Sequence, residues 1–172
     1  MANKHSAALL PYRIQEGVLE VFIAHMGGPF WAKRDQGGWS IAKGEYDPNG
    51  ELSQAAAHRE FFEEIGVNIE EESSLLGEFK QPSGKVITVY VVDYSDKSLD
   101  FVKSNNFEIE WPKGSGKTSI FPEVDKAQWH TGGIAMKKLV KGQVAIIKEL
   151  QQQLSEYREV ALFSPSSQES LF

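Results

Sequence analysis

Arg59-Glu60-Phe61-Phe62-Glu63-Glu64-Ile65-Gly66-Val67, with Glu51 eight positions before Arg59, is the stretch that departs most from ordinary protein surface. On a helix, Glu60, Glu63 and Glu64 stand at i, i+3 and i+4 and project from one face. Phe61, Phe62 and Ile65 are then predicted to point the other way, into a core. Glu60 and Glu64 make a like-charge i,i+4 pair that costs about 0.2–0.5 kcal/mol. No lysine or arginine follows within a turn to offset it. Arg59 can reach Glu63, in the less favourable order. Crowded carboxylates raise one another's pKa, and a bound divalent cation reverses that. An all-oxygen ligand set favours Mg²⁺, Ca²⁺ or Mn²⁺ over zinc.

From Gly44 through Glu51 and Arg59 to Val67 the segment resembles the Nudix box, G-x5-E-x7-R-E-U-x-E-E-x-G-U, where U is bulky and apolar. Every specified position from Glu51 onward matches. Upstream, six residues rather than five separate Gly44 from Glu51, and Asp47-Pro48-Asn49-Gly50 is turn-forming sequence that suits a one-residue loop insertion. The resemblance implies an α/β (α+β) fold, a Nudix-type α/β/α sandwich around a mixed β-sheet. It implies an enzyme in which water attacks a phosphorus of a pyrophosphate bridge, with Mg²⁺, or Mn²⁺, as cofactor. Carried over from the family pattern, Glu60, Glu63 and Glu64 are the metal ligands, and Glu60 doubles as a candidate general base. Arg59 orients these carboxylates, more scaffold than catalyst. Glu51 is an outer carboxylate that pairs within the motif. Gly44 marks the close approach of the loop to the metal, a place suited to a residue without a side chain.

A chain of 172 residues fits one domain with one substantial core. The expected division is a domain over 1–163 and a small, polar tail over 164–172. Net charge is −6, which argues against long-range attraction to nucleic acid. No cysteine is present, so disulfides, thiolate zinc sites and thiol catalysis are excluded, in keeping with a cytoplasmic location. The four-residue apolar run Ala7-Ala8-Leu9-Leu10 is too short for a signal-peptide core or a membrane span.

Strands are predicted over 6–12 and 18–25, joined by a hairpin turn at Gln15-Glu16-Gly17. A glycine- and aromatic-rich loop covers 26–38, and 39–42 is briefly extended. The box helix runs from Ser53, read as its N-cap, to Ile65, and Gly66 suits the left-handed position that ends it. Strands follow at 75–81 and 85–94 around Pro82-Ser83-Gly84. The alternation in Phe107-Glu108-Ile109-Glu110-Trp111 reads as a half-buried strand. Residues 112–117 are loop, and a second helical region covers 133–155, with a break expected at Gly142.

Outside the box, Phe121-Pro122-Glu123-Val124-Asp125-Lys126-Ala127-Gln128-Trp129 is similar to the late Nudix segment in which a glutamate before a tryptophan reaches the metal site. That nominates Glu123 as a catalytic acid or base. Asp125, Glu110 and Glu108 are its rivals, with solvated surface acids as the plain alternative. Lys43, Lys33 and Arg34 can bind phosphates, and Trp31 and Trp39 can stack on a base. For Trp39 a core role comes ahead of a base platform. His5, His25, His58 and His130 have no metal-ligand spacing, and His58 falls opposite the carboxylates, where a structural role is expected. Gly114-Ser115-Gly116-Lys117-Thr118 has the ending of a phosphate-binding loop without its spacing.

The resulting expectation is hydrolysis of a nucleoside diphosphate-linked compound, a nucleoside triphosphate or a dinucleoside polyphosphate. A nucleotide sugar, a diphosphoinositol compound, or a domain that senses a nucleotide without turnover are the alternatives. The partner is a small molecule of nucleotide type, with no nucleic acid and no membrane.

Overall fold

The computed structural model describes residues 4–162; the tail expected at 164–172 lies outside them. The architecture is a mixed sheet between helices, as the resemblance implies. β1 (His5–Gln15) and β2 (Val18–Met26) form the antiparallel hairpin predicted around Glu16 and Gly17. Both turn residues have positive φ, 52° and 79°, as a two-residue turn between right-twisted strands requires.

The β1–β2 pairing covers only Tyr12–Gln15 against Val21–Val18. Beyond it β2 pairs with β3 (Trp39–Ser40) and β1 pairs with β4 (Lys43–Glu45). The segment 39–45 is therefore wedged where the two long strands part, which holds Lys43 and Gly44 inside the fold. β6 (Val86–Asp93) runs parallel to β1, and β5 (Ser74–Lys80) closes that edge. β7 (Asn106–Glu110) and β8 (Thr118–Pro122) make a separate two-stranded hairpin, and β9 (Val124–Thr131) returns to pair along β2. Sequence reading missed β8 and β9, because 118–131 lacks a clean apolar alternation and presents its pattern only against β7 and β2.

Successive residues of β1 serve opposite faces, the period of a strand. Ala7 and Leu9 pack with Phe22 and Ala24 under α1 (Ser53–Ile65), against Ala56, Ala57, Phe61 and Ile65. Ala8 and Leu10 face the other helices, α2 (Gly132–Lys138) and α3 (Val144–Leu162), with Ile146, Ile147 and Leu150 fully buried. A 3-10 turn at Lys141–Gln143 separates them, close to the break expected at Gly142.

Two local expectations change. Phe62 is 51% exposed rather than in the core, because the buried stripe of α1 follows Ala57, Phe61 and Ile65 and leaves Phe62 beyond its edge. Leu52, not Ser53, is the helix N-cap, and it makes no side-chain cap. The Ser53 hydroxyl bonds Tyr90 Oη instead, at 2.7 Å. Gly66 does stop the helix in a left-handed conformation (φ 84°), donating its N–H to Phe62 O.

Candidate active site

Arg59 organises the carboxylates of α1. Its Nε and Nη2 grip both oxygens of Glu51 at 2.8 and 2.9 Å, a bidentate pair. Its Nη1 donates to Glu60 Oε1 at 2.8 Å and to Glu63 at 3.2 Å. This hydrogen bonding holds the Glu51 carboxyl below its ordinary pKa and raises that of the guanidinium further. The helix thus carries its acidic face on a guanidinium anchored from the preceding loop.

Glu60 is buried, on the margin of the apolar stripe, and its carboxylate fills the space beside Gly44. A Cβ on Gly44 would overlap that carboxylate, so the glycine is a packing requirement. Glu64 Oε2 accepts the backbone N–H of Lys43 at 3.2 Å. Burial pushes the Glu64 carboxyl up to about 8, against the pull of Lys43 and with help from Glu123 and Glu60. Burial also raises Glu60 and Glu123, with Arg59 opposing the shift at Glu60 and Glu63 adding to it at Glu123. Raised carboxyls gathered in one cleft are a common mark of a functional site.

Glu123 reaches this cleft through the backbone. Asn105 N–H donates to Glu63 O at the end of α1, Glu123 N–H donates to Asn105 O, and Gly27 N–H donates to Glu123 O, each at 2.8 Å. Glu123 then lines a pocket of about 250 Å³ with Glu64, Lys43, Trp31, Phe107, Met26 and neighbours. The rival acids are held elsewhere. Asp125 bonds His25 Nδ1 at 2.7 Å, Glu110 accepts the Gly114 N–H within its own hairpin, and Glu108 is exposed on the hairpin's outer side.

Trp39 cannot serve as a base platform: it is 1% exposed, edge-packed on His25 and His130, with Nε1 bonded to Asp35 at 3.0 Å. Lys33 and Arg34 are exposed and do not line the pocket, although the Arg34 guanidinium lies 5.5 Å from the centre of the Trp31 ring. His58 is structural, bonding Ile69 O and Ser73 Oγ. Sequence reading missed His25. It is 3% exposed, and its second nitrogen bonds Arg34 O at 2.6 Å, pinning the loop 27–38 to β9. No local pattern signals such a tie between distant segments.

Among the described residues, no three histidine, aspartate or glutamate side chains are already gathered to hold a metal ion. Like charges repel, so Glu60 and Glu63 turn to Arg59 and Glu64 to the Lys43 N–H. The donors fit a hard cation in kind: carboxylate oxygens on one helix face, beside a glycine that keeps the space clear.

The NUDIX domain model matches residues 6–150. The chain belongs to the Nudix family. It is accordingly an enzyme of the pyrophosphohydrolase class. Solved structures with this fold include the NUDIX domain of Shewanella oneidensis NrtR complexed with ADP ribose, 14% identical over 90% of each chain, TM-score 0.59. A C. elegans Ap4A hydrolase in a binary complex is 17% identical over 88% of this chain and 98% of its own, TM-score 0.60. RenU, a Nudix hydrolase from M. smegmatis, is 19% identical over 91% of this chain and 90% of its own, TM-score 0.57. At such identities the likeness speaks for the Nudix fold alone. No curated protein sequence matches. Among the described residues, no helix is long and apolar enough to cross a membrane.

Proposed function

We propose that this Nudix protein hydrolyses the pyrophosphate bond of a nucleoside diphosphate-linked compound, a nucleoside triphosphate or a dinucleoside polyphosphate, with a divalent cation. The observation that carries the proposal is the clustering of Glu60, Glu63 and Glu64, on their Arg59–Glu51 anchor, beside a pocket that also holds Lys43 and Glu123. When bound, Mg²⁺ or Mn²⁺ supplies charge neutralisation at phosphoryl oxygens and a more acidic water.

The chain's own residues do the rest. Glu60, Glu63 and Glu64 would hold the cation, and Arg59 sets their orientation. Lys43 would contact a phosphate as a point charge. Glu123, on the far wall, would accept the proton of the attacking water, with Glu60 as the alternative base. A second pocket of about 430 Å³ adjoins the first through Met26, Ser40 and Lys43, and carries Lys85 and Lys141. That basic extension supports a substrate with a polyanionic chain. It also argues for a substrate too large for the first pocket alone, since small-molecule sites span roughly 300–1,000 Å³.

The test is a product-release assay over nucleoside triphosphates, dinucleoside polyphosphates, nucleotide sugars and diphosphoinositol compounds, with Mg²⁺ and after chelation. Turnover of a nucleotide that chelation abolishes is the expected result. Binding of a nucleotide without any turnover would replace the enzyme by a sensor.

A further inference from the structure

The hairpin of β7 and β8 has an apolar side that the proposed chemistry does not use. Phe107, Ile109 and Trp111 occupy alternate positions, so one face collects them while Glu108 and Glu110 take the other. Phe121 on β8 pairs with Phe107, ring centroids 6.1 Å apart. This face meets the loop 27–38. Phe107 seats on Gly28, where a Cβ would come within 2.7 Å of its ring, and it lines the pocket with Glu64 and Glu123. Toward the hairpin's tip, Trp111 meets Phe30 edge-on at 5.5 Å and 72°. Trp31, the next residue, lines the same pocket. The hairpin is fastened at its base through Asn105 and Glu123, and Pro122 O lies against Gly27. Its aromatics are thus held in place rather than hanging in solvent.

Phe30 nonetheless remains 58% exposed and Trp111 only half-buried. Phe30 directly precedes Trp31, and Trp111 shares a hairpin face with Phe107; Trp31 and Phe107 both line the pocket. Two large rings held partly open there are more than the hairpin needs to dock, since Phe107 on Gly28 already does that.

We propose that Phe30 and Trp111 form a stacking platform for the planar heterocyclic base of the substrate, at the end of the cleft away from the lysine-lined pocket. The proposal rests on the nucleotide reading above and narrows it. A base is a flat π-system that binds aromatic faces without a hydrogen-bond code. A diphosphoinositol compound has no such group, and its saturated, polyanionic ring gains nothing from two exposed aromatics. The base would then lie toward the hairpin, with the phosphates running past Glu64 and Lys43 toward Lys85 and Lys141.

The test uses the full chain with Trp111→Ala, Trp111→Phe and Phe30→Ala, each checked for a wild-type melting profile. The binding probe is an α,β-methylene nucleoside triphosphate, with methylenediphosphonate as its base-free counterpart, followed by tryptophan fluorescence. Of the four tryptophans, Trp39 is buried and Trp111 is the one on the platform. The nucleotide analogue is expected to quench emission and the base-free probe not to. Trp111→Ala should remove most of that quench, and Trp111→Phe should bind within about threefold of wild type.

In kinetics, the kcat/KM preference for a nucleoside triphosphate over inorganic tripolyphosphate should fall about tenfold in Trp111→Ala, the range one base–aromatic stack supplies. If Trp111→Ala does not fold, Phe30→Ala is expected to lower the same ratio. An unchanged ratio with an unchanged quench overturns the platform, even where the enzyme turns over nucleotides. Absence of all turnover would instead count against the proposed function, and the quench would still decide the platform.

Discussion

At the scale of single residues, the site turns on charges that cannot be neutral partners for one another. Removing one ligand should weaken a cation; in its absence Glu63→Gln thins the crowded acids, and Glu64→Gln replaces a carboxyl that burial already keeps protonated near neutral pH. Glu63→Gln and Glu64→Gln are therefore each expected to lower kcat more than about tenfold in saturating Mg²⁺ with no loss of apo stability. Steady-state kinetics with parallel melting curves checks this, and wild-type turnover in both variants would sink the metal assignment. Gly44→Ala tests the packing around Glu60. The new methyl group occupies the place of the Glu60 carboxylate, so either the carboxylate or the strand must shift. The expected cost is about 1–3 kcal/mol of stability, typical of overpacking, together with a drop in kcat. A variant with unchanged stability and activity would mean the strand gives way freely.

At the scale of elements, two of the ties that hold the walls of the site run through the backbone and through one histidine. Asn105 ties the end of α1 to Glu123, and His25 ties the loop 27–38 to β9. Both His25 partners are acceptors, a carboxylate and a carbonyl, and the ring between them is buried, so an alanine removes both bonds and leaves a void in the packing. His25→Ala is expected to cost about 1–3 kcal/mol. Limited proteolysis should then cut first within 27–38, and KM should rise because Trp31 belongs to that loop. Cleavage appearing first elsewhere would show that the loop is held by other bonds. Glu123→Gln probes the opposite wall. If Glu123 takes the proton from water, the variant lowers kcat more than it raises KM. Wild-type kcat would move that role to Glu60, since Glu110 is committed to its own hairpin turn.

For the whole molecule, the acids of the cleft make stability depend on pH. Glu64 ionises at 4.5 in the unfolded chain and at about 8 in the fold. Between those values the unfolded chain releases a proton that the fold retains. The associated stabilisation is complete below 4.5 and is lost as pH rises toward 8. Glu60 and Glu123 shift in the same direction. The melting temperature in chelator should therefore fall across this window, and Glu64→Gln should flatten the fall. Mg²⁺ binds the ionised acids, so the rise in melting temperature it produces should grow with pH over the same range. Parallel curves for wild type and Glu64→Gln would show that Glu64 titrates normally.

What the sequence by itself determined is local. The box helix, its stop at Gly66, the β1–β2 hairpin and the strands around 82–84 follow from spacing and turn chemistry over neighbouring residues. The acidic face of Glu60, Glu63 and Glu64, and Arg59's reach to them, follow from helical geometry, since all four sit within two turns. The tertiary structure decided everything that joins distant segments. Along the chain Trp31 and Trp39 are both candidates to stack on a base, with a core role favoured for Trp39; Trp39 is in the core and Trp31 lines the pocket, because β3 is wedged between parting strands. Along the chain, only the resemblance of 121–129 to the late Nudix segment sets Glu123 ahead of Asp125, Glu110 and Glu108. Only pairing to Asn105 and Gly27 brings Glu123 to Glu64, while strand alternation turns Glu108 and Glu110 outward. His25 and the Phe30–Trp111 contact have no local signature at all. Their meaning is a distance across the fold, and a distance between segments is set by packing rather than by the order of residues.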